Sequence, residues 1–182
     1  AHFTVFGSDY SADDESGNAK MFTDNLAKIC QKMGVTFKMN EEILLDMTEI
    51  KDGIIKKVYT KNTQTEAVTK HTSDLFLVCL GSYTPEFLKK LERMPIYPVK
   101  GYSATFDVTD WSKANSASLT DNEYKIVFTR VGDKLRVAGT AEFNGYNLEL
   151  NEARCETLRK RTKDIFGEGF INYDEPNFWT GL

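Results

Sequence analysis

The chain has 182 residues, of which 41% are apolar and 27% charged, which is the composition of a folded protein of one or two domains and excludes a disordered chain. Its net charge of −4 at pH 7 and its pI near 5.3 argue against a nucleic-acid-binding surface. The longest uninterrupted apolar run, residues 75–80, is far shorter than the roughly 20 residues that a membrane-spanning helix needs.

The N-terminal part predicts a loop, a helix and a strand. Residues 7–18 are rich in acidic and small side chains, which is typical of a loop. Residues 19–33 repeat apolar side chains along one helical face, with Ser16 or Asn18 as the N-cap and Gly34 as the stop. Residues 35–39 alternate apolar and polar side chains and predict a strand. Helix, glycine and strand in this order predict half of a βαβ unit.

The following segment predicts short antiparallel strands. Residues 45–50 and 54–60 flank Asp52-Gly53, a dipeptide typical of a two-residue hairpin turn. A further strand is predicted near residues 66–69.

Residues 75–80, LFLVCL, predict a different kind of strand. The run shows no polar alternation, so we expect a central strand that is covered on both faces. It ends at Gly81, and a helix is predicted from Pro85 with Thr84 as its cap. Two interpretations of this strand end stay open. One is ordinary strand-to-helix packing, and the other is a nucleotide beside Gly81 and Ser82, because ligands of open α/β sheets lie beyond the C-terminal strand ends.

The C-terminal half is predicted to be mainly β-structure with one helix. Residues 96–106 are strand-like, and a hairpin with its turn at residues 131–133 is predicted from strands 124–130 and 134–140. The helix is predicted over residues 151–166, with Asn151 as its cap and Gly167 as its stop.

Two candidate sites follow from the predicted strands. Tyr124 and Arg130 share one face of a predicted strand, and together they can bind a carboxylate through O–H and bidentate N–H bonds. The alternative is an aromatic core position with a surface arginine. For Lys100 and Gly101 the same two alternatives stay open: a ligand-binding position or an ordinary structural position.

Other kinds of chemistry have little support in the sequence. No serine or cysteine motif has a partnering histidine, and neither a P-loop nor a GxGxxG motif occurs. The cysteines Cys30, Cys79 and Cys155 are far apart, so we predict neither a disulfide framework nor a metal site and expect a reducing compartment. His71 is predicted to be exposed and inert.

Several blocks of the sequence resemble one known family. The blocks YPVKGYSATF, RVGDKLRVAGTAE and the closing FWTGL are similar to the D-amino-acid dehydrogenases of the small-subunit type, and FLVCLGSYTPEFLKKL matches the same group in order. These enzymes belong to the FAD-dependent D-amino-acid, glycine and sarcosine oxidoreductases. The resemblance extends over nearly the whole chain.

The resemblance implies a mixed α+β protein made of two interleaved domains. Residues 19–93 would form part of a Rossmann-type FAD domain, and residues 94–178 a substrate domain with a mainly antiparallel sheet flanked by helices. Residues 1–18 would be a loop or strand segment of the substrate domain, and residues 179–182 would return towards the FAD domain.

The resemblance also implies a reaction and its partners. A D-amino acid would be oxidised to an imino acid by hydride transfer to flavin N5, and hydrolysis would then give a 2-oxo acid and ammonia. Electrons would pass to a membrane quinone or another carrier. We expect a cytoplasmic location, with peripheral association at the inner membrane as the alternative.

Individual residues match family positions. Gly81 and Ser82 match a loop beside the FAD adenosine, and Gly181 matches a backbone position near the flavin ring. Lys100 and Gly101 match a strand at the domain junction, and Tyr124 matches a substrate-pocket tyrosine. No residue is predicted to be a proton-transfer catalyst, because the cofactor carries the chemistry.

The chain also departs from the family pattern. The FAD phosphate motif GxGxxG has no counterpart here, and the chain stops one residue before the family's Arg-Pro, whose arginine grips the substrate carboxylate. Glu41 stands where relatives have an apolar residue near the adenine. We therefore expect a central fragment that is inactive alone, does not retain FAD and self-associates through an exposed sheet edge. The alternatives are a non-redox module that binds a small carboxylate, and a glycine or sarcosine oxidase relative.

Overall fold

The computed structural model describes residues 8–114 and 117–182. Contacts divide the chain into two units, one made of the residues up to Phe22 together with Pro98–Leu182, and the other made of Thr23–Tyr97. The α+β class predicted from the sequence is confirmed, since helices accompany two antiparallel sheets. Within the described ranges, no helix has the length and apolarity needed to cross a membrane.

Helix α1 (Ala19–Lys32) forms as predicted. The Asn18 side chain accepts a hydrogen bond of 3.0 Å from the Met21 N–H and so caps the helix. Its apolar face is largely exposed: Phe22 is 69% and Ile29 53% accessible. The pattern therefore predicted the helix correctly.

The predicted strand over residues 35–39 is wrong, because these residues belong to no helix or strand and are exposed. Alternation alone does not make a strand, since the backbone groups need a neighbouring strand to complete the ladder. In the described ranges, no strand pairs with this segment.

The unit Thr23–Tyr97 contains an antiparallel sheet around one long strand. Strand β3 (Ile54–Asn62) pairs with β1 (Glu41–Ile43), β2 (Glu49–Lys51) and β4 (Val68–His71). The β2–β3 hairpin confirms the predicted turn: Asp52 and Gly53 both have positive φ angles, of 53° and 73°. Residues 45–47 form a short 3₁₀ turn instead of the start of a strand.

The predicted central strand over residues 75–80 is also wrong. The segment belongs to no strand, and its side chains Leu75 and Leu77 are 81% and 85% exposed. It does end at Gly81, whose φ of +55° starts a 3₁₀ turn that leads into helix α2 (Thr84–Leu88). Thr84 lies inside this helix and does not cap it, while Pro85 occupies the first turn as predicted.

The other unit contains a five-stranded antiparallel sheet. Its strands are β5 (Lys100–Asp107), β6 (Leu119–Asp121), β7 (Ile126–Val131), β8 (Lys134–Glu142) and β9 (Asn177–Gly181). Their order across the sheet is β6-β7-β8-β5-β9. Strand β9 thus pairs with β5 within this unit. The predicted return of residues 179–182 towards an FAD domain stays a prediction.

Helix α3 (Glu152–Phe166) packs on β5 and β8 and closes the core. The Asn151 side chain accepts hydrogen bonds from the N–H groups of Ala153 and Arg154, and Gly167 follows the last turn, as predicted. Inward-facing side chains of three strands meet Leu158 on the helix. The fully buried members of this core are Ala104, Phe106, Ile126, Phe128, Val137 and Leu158.

One boundary of the predicted β7–β8 hairpin has to be corrected. Strand β7 begins at Ile126, and Tyr124 lies in the turn before it. Lys125 has a positive φ of 56°, which breaks the alternation that would have placed Tyr124 on the face of Ile126 and Phe128. Those two residues are buried, whereas Tyr124 is 46% exposed.

Candidate functional site

The register of the five-stranded sheet brings one end of four strands together. Ile126 in β7 pairs with Gly139 in β8. Gly139 also pairs with Tyr102 in β5, and Tyr102 pairs with Thr180 in β9. This row crosses the sheet close to the starts of β5 and β7 and close to the ends of β8 and β9. Tyr124, two residues before Ile126, therefore lies at this same end.

Several residues singled out in the sequence lie at this end, which we call the site end of the sheet. Lys100 and Gly101 begin β5, Gly181 ends β9, and Tyr124 lies in the turn that precedes β7. Gly101 and Gly181 are direct cross-strand partners. From β7 to β5 the sheet spans two strand spacings, or about 10 Å.

Arg130 lies at the opposite end, and its predicted pairing with Tyr124 is wrong. It pairs with Leu135 beside the hairpin turn, four residues beyond the start of β7 at Ile126, which corresponds to roughly 13 Å of extended strand. Its guanidinium carbon lies 4.2 Å from the centre of the Trp111 ring, and its Nε donates to the Gly132 carbonyl at 3.0 Å. A carboxylate site formed jointly by Tyr124 and Arg130 is therefore not present.

A β-bulge distorts the site end. Gly101 pairs with Ala141 and Tyr102 with Gly139, so that Thr140 is the extra residue, and its φ is 59°. Among the described residues, the Thr140 hydroxyl is the buried side-chain polar atom without a hydrogen-bond partner. Such a backbone is unusual for a β-branched residue, and bulges of this kind are over-represented beside active sites.

A buried ion pair ties the start of β5 to the end of β8. The Lys100 side chain is 1% exposed, and its Nζ lies 2.7 Å from Glu142 Oε2 and donates to the Glu149 carbonyl at 2.8 Å. Glu142 also accepts from the Tyr102 hydroxyl and faces Arg154. The hydrogen bond between the two charged groups raises the pKa of Lys100 and lowers that of Glu142. The Lys100 amine is thus engaged by Glu142 and the Glu149 carbonyl. Its role at the site end is to hold the backbone at the start of β5 in place.

Tyr124 sits on a second charged cluster. The guanidinium carbon of Arg161, on α3, lies 4.4 Å from the centre of the Tyr124 ring. Arg161 Nε donates to Asp121 Oδ2 at 2.5 Å, and both side chains of this pair are buried. Burial alone would raise the pKa of Asp121, but hydrogen bonds from Arg161 and from the N–H groups of Tyr124 and Glu123 outweigh it and hold the pKa below its ordinary value.

The glycines at the site end allow a flat ring to lie against the backbone. A Cβ on Gly181 would overlap Cη2 of the Trp179 indole, so only glycine lets this ring pack on its own strand. The indole is 57% exposed and covers Gly181 on the side that a Cβ would face. A Cβ on Gly101 would have only the Gly181 carbonyl oxygen nearby, at 4.0 Å, so Gly101 is the glycine whose backbone is open to the ring part of an FAD. The diphosphate part has no glycine-rich cradle in this sequence.

Gly81 and Ser82 belong to the unit Thr23–Tyr97, and their predicted place beside an adenosine stays a prediction. In the same unit, His71 is half-buried and not exposed as predicted: its Nε2 lies 2.7 Å from the Thr60 hydroxyl. That it is inert stays a prediction. Thr60 donates to Glu41, whose carboxylate is 3.7 Å from His71. Glu41 is therefore satisfied by neighbouring polar groups.

Sequence reasoning missed the charged partners of the site end. Arg161 and Asp121 lie 40 positions apart, as do Tyr102 and Glu142, and no periodicity connects residues at such separations. Arg161 lies on the buried side of α3, where the apolar pattern predicted no charge. A charged residue on an otherwise apolar helical stripe was the one signal available.

Comparison with known proteins identifies similar sequences along the chain. The family described as "DAO: FAD dependent oxidoreductase" matches residues 4–182. A D-amino acid dehydrogenase of Dechloromonas aromatica (strain RCB) is 42% identical over 186 residues, covering 100% of this chain and 43% of that protein. A D-amino acid dehydrogenase of Xanthobacter autotrophicus (strain ATCC BAA-1158 / Py2) is 39% identical, covering 93% of this chain and 38% of that protein. The chain thus spans less than half the length of these relatives.

Solved structures share the fold. The glycine oxidase from Bacillus cereus ATCC 14579 superposes with a TM-score of 0.65 and 17% identity, covering 88% of this chain and 42% of the oxidase. The glycerol-3-phosphate dehydrogenase from Bacillus halodurans, complexed with FAD, gives a TM-score of 0.58 at 13% identity, covering 78% of this chain and 30% of that one. At these identities the likeness concerns the fold alone.

Proposed function

Because this chain belongs to the DAO family of FAD-dependent oxidoreductases, we propose that it supplies the amino-acid-binding part of a flavoenzyme that oxidises D-amino acids to 2-oxo acids and ammonia. The observation that carries the proposal is the 42% identity with a D-amino acid dehydrogenase over the whole chain. The location of Tyr124, Gly101 and Gly181 at one end of the sheet supports it. Because the relatives are more than twice as long, the proposal assigns the FAD diphosphate to parts of their length that this chain does not span.

Each residue at the site end has a positional role in this proposal. The Tyr124 hydroxyl donates a hydrogen bond to the carboxylate of the amino acid, which fixes the orientation of the substrate. Gly101 gives a ring system access to the backbone, and the Lys100–Glu142 pair holds the strand end that carries it. When bound, FAD supplies the two-electron oxidation of the C–N bond. No side chain is assigned as a general acid or base.

The electrons leave through a carrier other than oxygen in this proposal. A quinone or another carrier reoxidises the flavoenzyme, and the protein works in the cytoplasm or at the inner face of the membrane. The support for an electron carrier other than oxygen is the dehydrogenase name of the similar relatives. The location is proposed from the family resemblance of the sequence alone.

The test uses the complete protein with its FAD, mixed anaerobically with single amino acids. The visible absorbance of oxidised flavin is followed after addition of D-alanine, L-alanine, glycine or sarcosine. We expect D-alanine to bleach the flavin and L-alanine to leave it unchanged. Bleaching by glycine or sarcosine but not by D-alanine would assign the chain to an oxidase relative instead. If no amino acid bleaches the flavin, the proposed function is wrong.

A further inference from the structure

Helix α3 carries a buried arginine, Arg161, on its core-facing side, and apolar packing does not explain a charged side chain there. The Arg161 side chain is only 7% exposed, and it lies among the other buried residues of α3, Cys155, Leu158 and Thr162. A buried guanidinium is costly unless it is paired and hydrogen-bonded. Its partners are therefore informative, and three of them lie in one short segment, residues 121–124.

Asp121 links this arginine to the turn before β7. Its Oδ2 accepts from Arg161 Nε at 2.5 Å, and its Oδ1 accepts from the N–H groups of Glu123 at 2.9 Å and Tyr124 at 3.3 Å. One carboxylate thus fixes the helix and the backbone of the turn together. Because both of its oxygens are engaged, a shift of Arg161 would be transmitted directly to the position of Tyr124.

The Tyr124 ring itself rests on the guanidinium. The Arg161 Cζ lies 4.4 Å from the ring centre, and its Nη2 is 3.5 Å from Glu123 Oε2, so the guanidinium plane is held from two sides. Tyr124 remains 46% exposed, which leaves part of the ring open to a ligand. A tyrosine in a turn would otherwise move between rotamers at little cost.

We propose that Arg161, held by Asp121, is a positioning residue that fixes the Tyr124 hydroxyl for the carboxylate of the substrate. This inference rests on the proposed function. The guanidinium does not touch the substrate, since its Nε and Nη2 donors face Asp121 and Glu123. Its planar face supports the ring, a geometry that the point charge of a lysine does not reproduce.

The test is a double-mutant cycle in the complete flavoenzyme with D-alanine. Its members are the wild type, R161K, Y124F and the double variant, each with kcat and KM measured. The matched control is R159K on the same helix, where the exposed Arg159 pairs with Glu156 one turn away and is remote from the turn that carries Tyr124. Thermal unfolding of each variant establishes that it is folded.

The inference predicts a specific pattern of kinetic effects. Y124F loses a hydrogen bond to a charged group and raises KM about tenfold with kcat within about twofold, which is the signature of lost ground-state binding. R161K raises KM about fivefold in the wild type but less than about twofold when Tyr124 is already Phe, because it acts through the hydroxyl. R159K leaves both parameters unchanged.

Other results would overturn the inference in distinguishable ways. If Y124F raises KM but R161K does not, or if their effects multiply, Arg161 is not a positioning residue while the proposed function stands. If Y124F leaves KM unchanged, the substrate role of Tyr124 is wrong. If the wild type does not oxidise D-alanine, the proposed function fails. Should R161K not fold, D121N is used in the same cycle, since its amide oxygen still accepts from the turn while the charge pair is lost.

Discussion

Thr140 is the most strained position at the site end of the sheet. It combines a left-handed φ of 59° with a β-branched side chain, and its buried hydroxyl has no partner within the described ranges. Each of these features costs free energy on its own. The bulge aligns Gly101 with the end of β8, so the strain is located where the candidate site lies.

We expect Thr140→Val to stabilise the chain. Valine keeps the branched shape and removes the unsatisfied hydroxyl, whose burial costs about 1–3 kcal/mol, so the free energy of unfolding rises by about 1 kcal/mol. Denaturant titration measures this difference. A loss of stability of similar size would mean that the hydroxyl makes a hydrogen bond in solution.

Lys100→Met tests the buried ion pair. The change leaves the Glu142 carboxylate without its main partner, and breaking a buried pair in this way lowers the midpoint of thermal unfolding by about 10 °C. Lys134→Met is the matched control, because the Lys134–Asp107 pair is exposed and its loss shifts the midpoint by about 2 °C or less. Equal shifts of the unfolding midpoint in the two variants would show that the buried Lys100–Glu142 pair contributes no more to stability than the exposed pair.

At the scale of elements, what could be predicted from the sequence is local. The turn residues Asp52-Gly53 and Gly132 identified two hairpins, and Asn151 and Gly167 identified the ends of α3, because turns and caps depend on neighbours in sequence. The segments 35–39 and 75–80 were predicted as strands and are not, since a strand depends on a partner elsewhere in the chain.

Asn151→Ala tests the cap of α3, the helix that carries Arg161. The side chain accepts two backbone N–H groups of the first turn, and their loss costs about 1 kcal/mol of unfolding free energy. Asn151→Asp retains the acceptor and adds a favourable charge at the helix N-terminus, so it stays close to the wild type. A destabilised aspartate variant, measured by the same denaturant titration, would contradict the capping role.

At the scale of the whole molecule, the site residues could be predicted only through their resemblance to a family. Tyr124, Gly101 and Gly181 lie far apart in the sequence, and the register of β5, β7, β8 and β9 brings them to one end of the sheet. The pairing of Tyr124 with Arg130 failed because it assumed that alternation continues through Lys125. No local sequence pattern predicts that Lys125 interrupts the strand.

The exposed leucines of residues 75–80 predict self-association of the chain. Leu75 and Leu77 are both more than four-fifths exposed, and adjacent apolar side chains of this kind promote association in water. Sedimentation velocity at increasing concentration should show oligomers that weaken in the double variant L75K/L77K. The control I54K/V68K changes two apolar side chains that are only half exposed on the neighbouring sheet and should associate like the wild type. A concentration-independent monomer would refute the prediction.

The central claim is that substrate binds at the end of the sheet that carries Tyr124, and the KM for D-alanine of two variants tests it most directly. Both are made in the complete flavoenzyme: Tyr124→Phe at the site end and Arg130→Gln at the opposite end. We predict that Tyr124→Phe raises KM about tenfold, while Arg130→Gln leaves it unchanged. A raised KM for Arg130→Gln together with an unchanged KM for Tyr124→Phe would place the substrate at the other end and contradict the account.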